Sequence, residues 1–176
     1  MAGAAAITES DGGNEAPVAV AGGVHVRLAK TEADLRAMLD LGRLLHAESR
    51  YRTLPVDEAR LLAMGRRALE TRNPGLILAE RDGRIVGMAV VALGEHFFSP
   101  ALCATVQMIY VAPEARGGAS AVKLIRGLRT WAKQAGAHDL HINVTTGIKA
   151  DKTDRMLRRM GFRQTGGNYV LEGVGG

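Results

Sequence analysis

The residues with the clearest chemical content begin at the apolar strand end Tyr110-Val111, turn at Pro113, and continue as Arg116-Gly117-Gly118-Ala119-Ser120-Ala121 into an amphipathic helix. Small residues let a ligand approach the main chain, and the unsatisfied amide N–H groups and positive dipole end of a helix favour negative charge. The segment therefore reads as an anion cradle suited to phosphates. Between positions 116 and 163, eleven Lys and Arg stand against Asp139, Asp151 and Asp154, an excess of +8 in a chain whose total is +5. The cradle thus lies in the basic half, which suits a polyanionic small ligand and also a nucleic-acid surface. Other chemistry is thin. His138 and His141, three apart on one strand, point to opposite faces and so cannot chelate one ion together. His25 and His46 have no partner close in sequence, zinc spacings are absent, and no metal is expected. The single cysteine, Cys103, excludes an intrachain disulfide and fits a reducing, cytoplasmic compartment.

The elements that must hold the cradle follow from periodicity. With 176 residues, 47% of them hydrophobic, the chain suffices for one substantial core and hardly for two. Residues 1–23 are Ala/Gly-rich, carry Glu9, Asp11 and Glu15 but no Lys or Arg, and read as a disordered tail rather than a secretory signal. A single domain over 24–176 follows. No segment approaches the roughly 18 apolar residues that a membrane span needs. A first strand is expected at 24–28, then the capping-box pattern Thr31-Glu32-Ala33-Asp34 and a helix ending near His46. Pro55 starts a second helix with Asp57 and Glu58 in its first turn, closed by Asn73-Pro74-Gly75. Strands at 76–80, 85–93 and about 104–111 form an antiparallel meander, with Arg81-Asp82-Gly83-Arg84 as one turn and a longer loop through Glu95, His96 and Pro100 as the other. A helix at 118–134, a strand at 138–144 and a helix at 150–160, capped by Gly161, come next. A closing hairpin is expected from 162–164 and 168–172.

This order, with the cradle at the third helix, resembles the GCN5-related N-acetyltransferase (GNAT) superfamily over residues 24–171. That superfamily's acetyl-coenzyme A signature, Arg/Gln-x-x-Gly-x-Gly/Ala after an apolar-x-Val-x-Pro strand end, is similar to Ile109, Val111 and Pro113 followed by Arg116 to Ala121. Ala119 stands at the usual glycine position, where it still offers an amide N–H with little bulk. Gly161-Phe162 matches the Gly-Phe that ends the family's fourth helix. Within the superfamily the run looks most like members encoded in phage and prophage clusters. The resemblance implies an α/β (α+β) fold, with a mixed, mostly antiparallel sheet of six to seven strands and about four helices. It also implies direct transfer of acetyl from acetyl-CoA to an amine-bearing acceptor, a small molecule or a protein, in a ternary complex without a covalent enzyme intermediate. In that picture the backbone of Ile109, Tyr110 and Val111 pairs with the pantetheine arm and polarises the thioester carbonyl. Arg116, Gly117, Gly118, Ala119, Ser120 and Ala121 hold the pyrophosphate. Neither a metal nor a membrane is involved, and homodimers are common in the superfamily.

The departures bear on catalysis. The tyrosine that many members use to protonate the leaving thiolate falls here on Leu157, and the family's Asn at the start of the fourth helix on Ala150. A thiol with a pKa of about 8.5 leaves readily, whereas an acceptor amine near 10.4 must first lose a proton, so deprotonating the acceptor is the harder demand. Candidate bases are Glu95 and His96 in the meander loop and Glu48 between the first two helices; both carboxylates read equally as solvated loop charges. Tyr110 becomes a substitute acid if it faces the fork, and otherwise packs. A P-loop and a Rossmann glycine pattern are absent. The rival readings are a catalytically idle acyl-CoA-binding module and a nucleic-acid-associated protein using the basic helix faces. Three Tyr, three Phe and one Trp offer little for base stacking, which disfavours the latter.

Overall fold

The computed structural model describes residues 23–171. Apart from Gly23, the expected N-terminal tail lies outside them. The first strand, β1 (His25–Leu28), leads into α1 (Glu32–Glu48) and α2 (Glu58–Thr71). The meander follows as β2 (Gly75–Arg81), β3 (Arg84–His96) and β4 (Ser99–Val111), then α3 (Ser120–Gln134), β5 (Asp139–Ile142) and α4 (Ala150–Arg159). The strands form one sheet in chain order, antiparallel from β1 to β4, with β5 added parallel to β4.

Alternation along the strands builds a core on each face. Ile77 of β2 and Ala89 and Val91 of β3 pack with Leu124, Leu128 and Trp131 of α3. Leu76 and Leu78 of β2 and Met88 and Val90 of β3 meet Leu35, Met38, Leu41 and Leu45 of α1. The start of α1 carries the expected capping box: Thr31 accepts from the Asp34 amide and the Asp34 carboxylate accepts from the Thr31 amide. Asp34 also receives both terminal nitrogens of Arg27, whose Nε reaches Glu80, so one guanidinium staples β1, β2 and α1. The β2–β3 turn has Asp82 and Gly83 at positive φ, as a two-residue hairpin demands.

Several expectations are corrected. Among the described residues the sheet has five strands rather than six to seven. Residues 162–171 form no strand, and the remainder of the expected hairpin lies outside the described range. Thr165-Gly166-Gly167 offers little side chain to bury, so nothing holds that stretch against β5. The loop expected through Glu95, His96 and Pro100 is instead a tight turn at Phe97-Phe98, with Glu95 and His96 inside β3 and Pro100 inside β4. Proline at the second residue of β4 fits this register because the strand has only just begun. Pro55 lies outside α2, whose N-cap is Asp57, accepting from the Arg60 amide. Strand β5 covers four residues and releases 143–144.

Candidate functional site

Parallel pairing of β4 with β5 joins only Cys103 through Val106 to Asp139 through Ile142. Beyond Val106, β4 runs on to Val111 while β5 has ended, so from Gln107 onward this edge has no strand partner among the described residues. The strands part there as a fork. A cavity of about 540 Å³ fills it, walled by Gln107 to Val111 on one side and Asn143 to Thr146 on the other. Arg116, Gly117, Gly118 and Ala121 close one end, and Lys149, Lys152 and Leu157 of the α4 region line it as well.

The floor of the cradle is a bare helix start. The N-cap of α3, Ala119, makes no side-chain cap, and its first turn holds no acid, whereas α1 and α2 are capped by Thr31 and Asp57. Uncapped amides beside a cavity are a ready anion site. Gly117 has φ 85°, in the left-handed region where glycine alone is unstrained. The Ser120 hydroxyl is buried without a partner, and neither Ser120 nor Ala119 lines the cavity. The cradle's contribution is therefore mainly backbone.

A register shift in β4 decides where Tyr110 points. Val91 pairs with Val106 and Val90 with Met108, leaving Gln107 as an extra residue. Before this bulge Ala104 and Val106 pack toward α3; after it Ile109 and Val111 do, and Tyr110 turns to the α1 face. One inserted residue exchanges the two faces of the strand. The Tyr110 hydroxyl then donates to Glu48 Oε1 at the end of α1. Arg116 clasps the same carboxylate, Nη1 to Oε2 at 2.8 Å and Nη2 to Oε1 at 3.0 Å, while its Nε donates to the Val111 carbonyl at 2.8 Å. The guanidinium also sits 5.2 Å from the Tyr110 ring centroid. A hydrogen bond from the Arg50 amide to the Thr146 carbonyl ties the residues just after Glu48 across to the far wall.

These contacts set protonation. The Arg116 guanidinium holds the Glu48 carboxyl below the usual carboxylate range, helped by the Tyr110 hydroxyl and the nearby charge of Lys149. Burial, reinforced by the Glu48 carboxylate, pushes the Tyr110 phenol up to about 12. Glu48 is thus an ionised carboxylate at neutral pH, and Tyr110 a neutral donor.

The sequence-derived candidates divide. Glu48, Tyr110 and Arg116 come together, and Ile109, Val111, Gly117, Gly118 and Ala121 line the same cavity. Glu95 and His96 do not: Glu95 pairs with Leu102, eight residues before Tyr110 on β4, roughly 25 Å away along an extended strand. The structure corrects both positions, which belong to the opposite end of the sheet. Leu157 is buried in the cavity wall, so no hydroxyl stands there. Lys149 and Lys152 were missed as site residues. Their signal was the basic run of the fourth helix, which has no address until that helix is seen closing the fork.

A model of the acetyltransferase (GNAT) family matches residues 40–162. The chain belongs to that family. No curated protein gives a significant sequence match. Among solved structures, the aminoglycoside N-acetyltransferase AAC(6')-Iy in complex with CoA superposes with a TM-score of 0.71 at 18% identity, over 89% of this chain and 99% of that one. AAC(6')-Iy with a CoA-linked bisubstrate analogue gives 0.70 at 17%, over 85% and 97%. A ribosomal-protein-alanine N-acetyltransferase from Brucella melitensis biovar Abortus 2308 gives 0.64 at 19%, over 85% and 99%. At these identities the likeness is one of fold, and it is the GNAT fold. The resemblance to phage and prophage members gains no support from these matches.

Proposed function

We propose that this GNAT protein transfers an acetyl group from acetyl-CoA to a primary amine on a cationic acceptor, by direct attack within a ternary complex. The observation that carries the reading is the fork itself, a β4 edge from Gln107 to Val111 that has no strand partner among the described residues and opens directly onto the uncapped start of α3. The edge offers main-chain groups to an extended amide-bearing arm, as an added strand would. The helix start offers amides and positive potential to a pyrophosphate. Lys149 and Lys152 add charge on the facing wall.

Within this reading Glu48 is an anchor for the acceptor's ammonium rather than the base. A carboxylate held low stays ionised at neutral pH, so it has little tendency to keep a proton and can pair with a cation once Arg116 turns to the donor. The acceptor ammonium gives up one proton to solvent water, and the neutral nitrogen attacks the thioester carbonyl carbon. Backbone N–H groups at the fork stabilise the oxyanion, the C–S bond breaks, the sulfur leaves as thiolate, and the nitrogen sheds its second proton to solvent as the amide forms. Tyr110 is a poor acid for that thiolate, since its proton would have to move from a group near 12 to one near 8.5. Its role is to orient Glu48. Arg116 contributes to the pyrophosphate only by giving up Glu48, which couples donor binding to release of the anchor.

Calorimetric titration with acetyl-CoA tests the reading. Saturable binding that weakens strongly in Arg116→Glu is expected, and an unmutated protein that fails to bind would remove the proposal. Release of CoA is then followed against a panel of amines, with aminoglycosides first because AAC(6')-Iy, among the similar structures, is an aminoglycoside N-acetyltransferase. Tight donor binding with no CoA release against any amine would favour an idle acyl-CoA-binding module.

A further inference from the structure

At the end of the sheet opposite the fork, two chain segments converge on a second cluster. His96 ends β3, Asp139 begins β5, and His138 directly precedes it. His138 lies outside the strand, so the alternation that would set it against His141 does not govern it. Asp139 Oδ2 stands 3.3 Å from His96 Nε2 and 3.1 Å from His138 Nδ1, and one ligand atom from each residue lies within 4.8 Å of the others. His96 Nε2 is shielded from solvent yet has no hydrogen-bond partner, the nearby carboxylate oxygen being out of line for one. The His141 ring centroid is 6.3 Å from that of His96. Leu140 and Ile142 pack toward α3, so Asp139 and His141 share the opposite face of β5.

We propose that His96, His138 and Asp139 bind a divalent transition-metal ion of the zinc type, with His141 or water as the fourth ligand. With metal–nitrogen and metal–oxygen distances of about 2.0–2.2 Å, two ligands of a tetrahedral ion stand roughly 3.3–3.6 Å apart. The two measured separations around Asp139 are already close to that spacing. An imidazole-rich set with one carboxylate suits zinc, cobalt, nickel or copper and not magnesium or calcium. An ion would also satisfy the stranded nitrogen of His96. It would cross-link β3 to β5 over the intervening β4, at the only stretch where β5 pairs among the described residues, and so fix the strand whose departure opens the fork. The site is structural and independent of the acetyl-donor reading.

Tag-free protein titrated with zinc chloride is expected to bind one ion per chain. Cobalt should give the intense visible bands of a four-coordinate centre. A hundredfold excess of zinc over its dissociation constant should raise Tm by roughly 5–10 °C. His96→Ala and Asp139→Asn should each weaken zinc binding more than about tenfold, the loss that even outer-shell partners of a metal bring. His25→Ala should leave it unchanged, and acetyl-CoA titration should be unaffected in all three. Asp139→Asn is isosteric at an exposed position and carries the test should His96→Ala fold poorly. No saturable one-to-one binding by the unmutated protein, or binding retained in both ligand variants, overturns the proposal.

Discussion

At the scale of single residues, Glu48 has two partners that compete with any ligand. Arg116 neutralises it from one side and Tyr110 donates to it from the other. Glu48→Gln removes the charge and keeps the shape. In steady-state assays we expect the acceptor KM to rise roughly tenfold or more, the worth of a charge-assisted hydrogen bond, with acetyl-CoA affinity maintained or improved because Arg116 is freed. Tyr110→Phe should change kcat modestly, since the phenol holds Glu48 in place rather than supplying a proton. A residue far from the fork controls acid stability. The Arg27 guanidinium lowers the Asp34 carboxyl to about 2, against about 3.9 for an unfolded aspartate. A depressed folded value contributes stability that is present above the unfolded pKa and lost as pH falls through the folded one, here between about 4 and 2. The side chain is only 7% exposed, so the contribution is about 2 kcal/mol. Asp34→Asn should therefore lower stability in urea titrations at neutral pH and flatten its decline in that acid window.

At the scale of elements, packing leaves glycine as the tolerated residue where strands meet the indole of α3. A Cβ on Gly75 would stand 2.6 Å from the Trp131 ring, which is nearly buried. Gly75→Ala forces the ring or the strand aside and should cost about 1–3 kcal/mol, read as a fall of several degrees in Tm with quenched or shifted tryptophan emission. The elements themselves were largely legible. Thr31 and Asp34 announced α1, Asp82-Gly83 announced the hairpin, and the period of Val122, Ile125, Leu128, Trp131 and Ala132 announced α3. Those signals are local, carried by caps, turns and one face of a helix. The Gln107 bulge was not legible, because an extra residue in an apolar run leaves no mark on composition; it shows only against the register of β3. The same holds for Glu95 and His96, placed by a two-residue turn that Pro100 disguised as a longer loop. Residues 162–171 carried a turn signal at Thr165-Gly166-Gly167 but too few buried side chains to pair.

At the scale of the whole molecule, the segment of the expected cradle was readable and its surroundings were not. Arg116 to Ala121 suggested an anion site from residue type alone, and the structure sets that segment at an uncapped helix start beside a cavity; the clasp on Glu48 spans 68 positions and emerges only when α1 is folded over β4. The positive charge assembled around the fork by Arg116, Lys149 and Lys152 should make acetyl-CoA affinity fall as salt rises from low to physiological ionic strength, because screening shortens the reach of exposed charges. Titrations at two ionic strengths check this, and Lys152→Ala should flatten the dependence.

The open margin of β4 has a cost that falls on handling rather than chemistry. From Gln107 to Tyr110, on the side away from β3, the molecule presents an extended edge with no strand partner among the described residues. To another polypeptide such a segment is a template for intermolecular strand addition. A side chain that blocked it, such as an inward-pointing lysine, would also obstruct the cavity, so the usual safeguards of an exposed strand are not open to this one. On the proposed function, a bound donor would cover this edge. Preparations kept with a saturating coenzyme A thioester should stay monodisperse in light scattering for longer than bare protein at the same concentration and temperature, and a proline at Ile109 should reduce self-association while weakening uptake of the thioester.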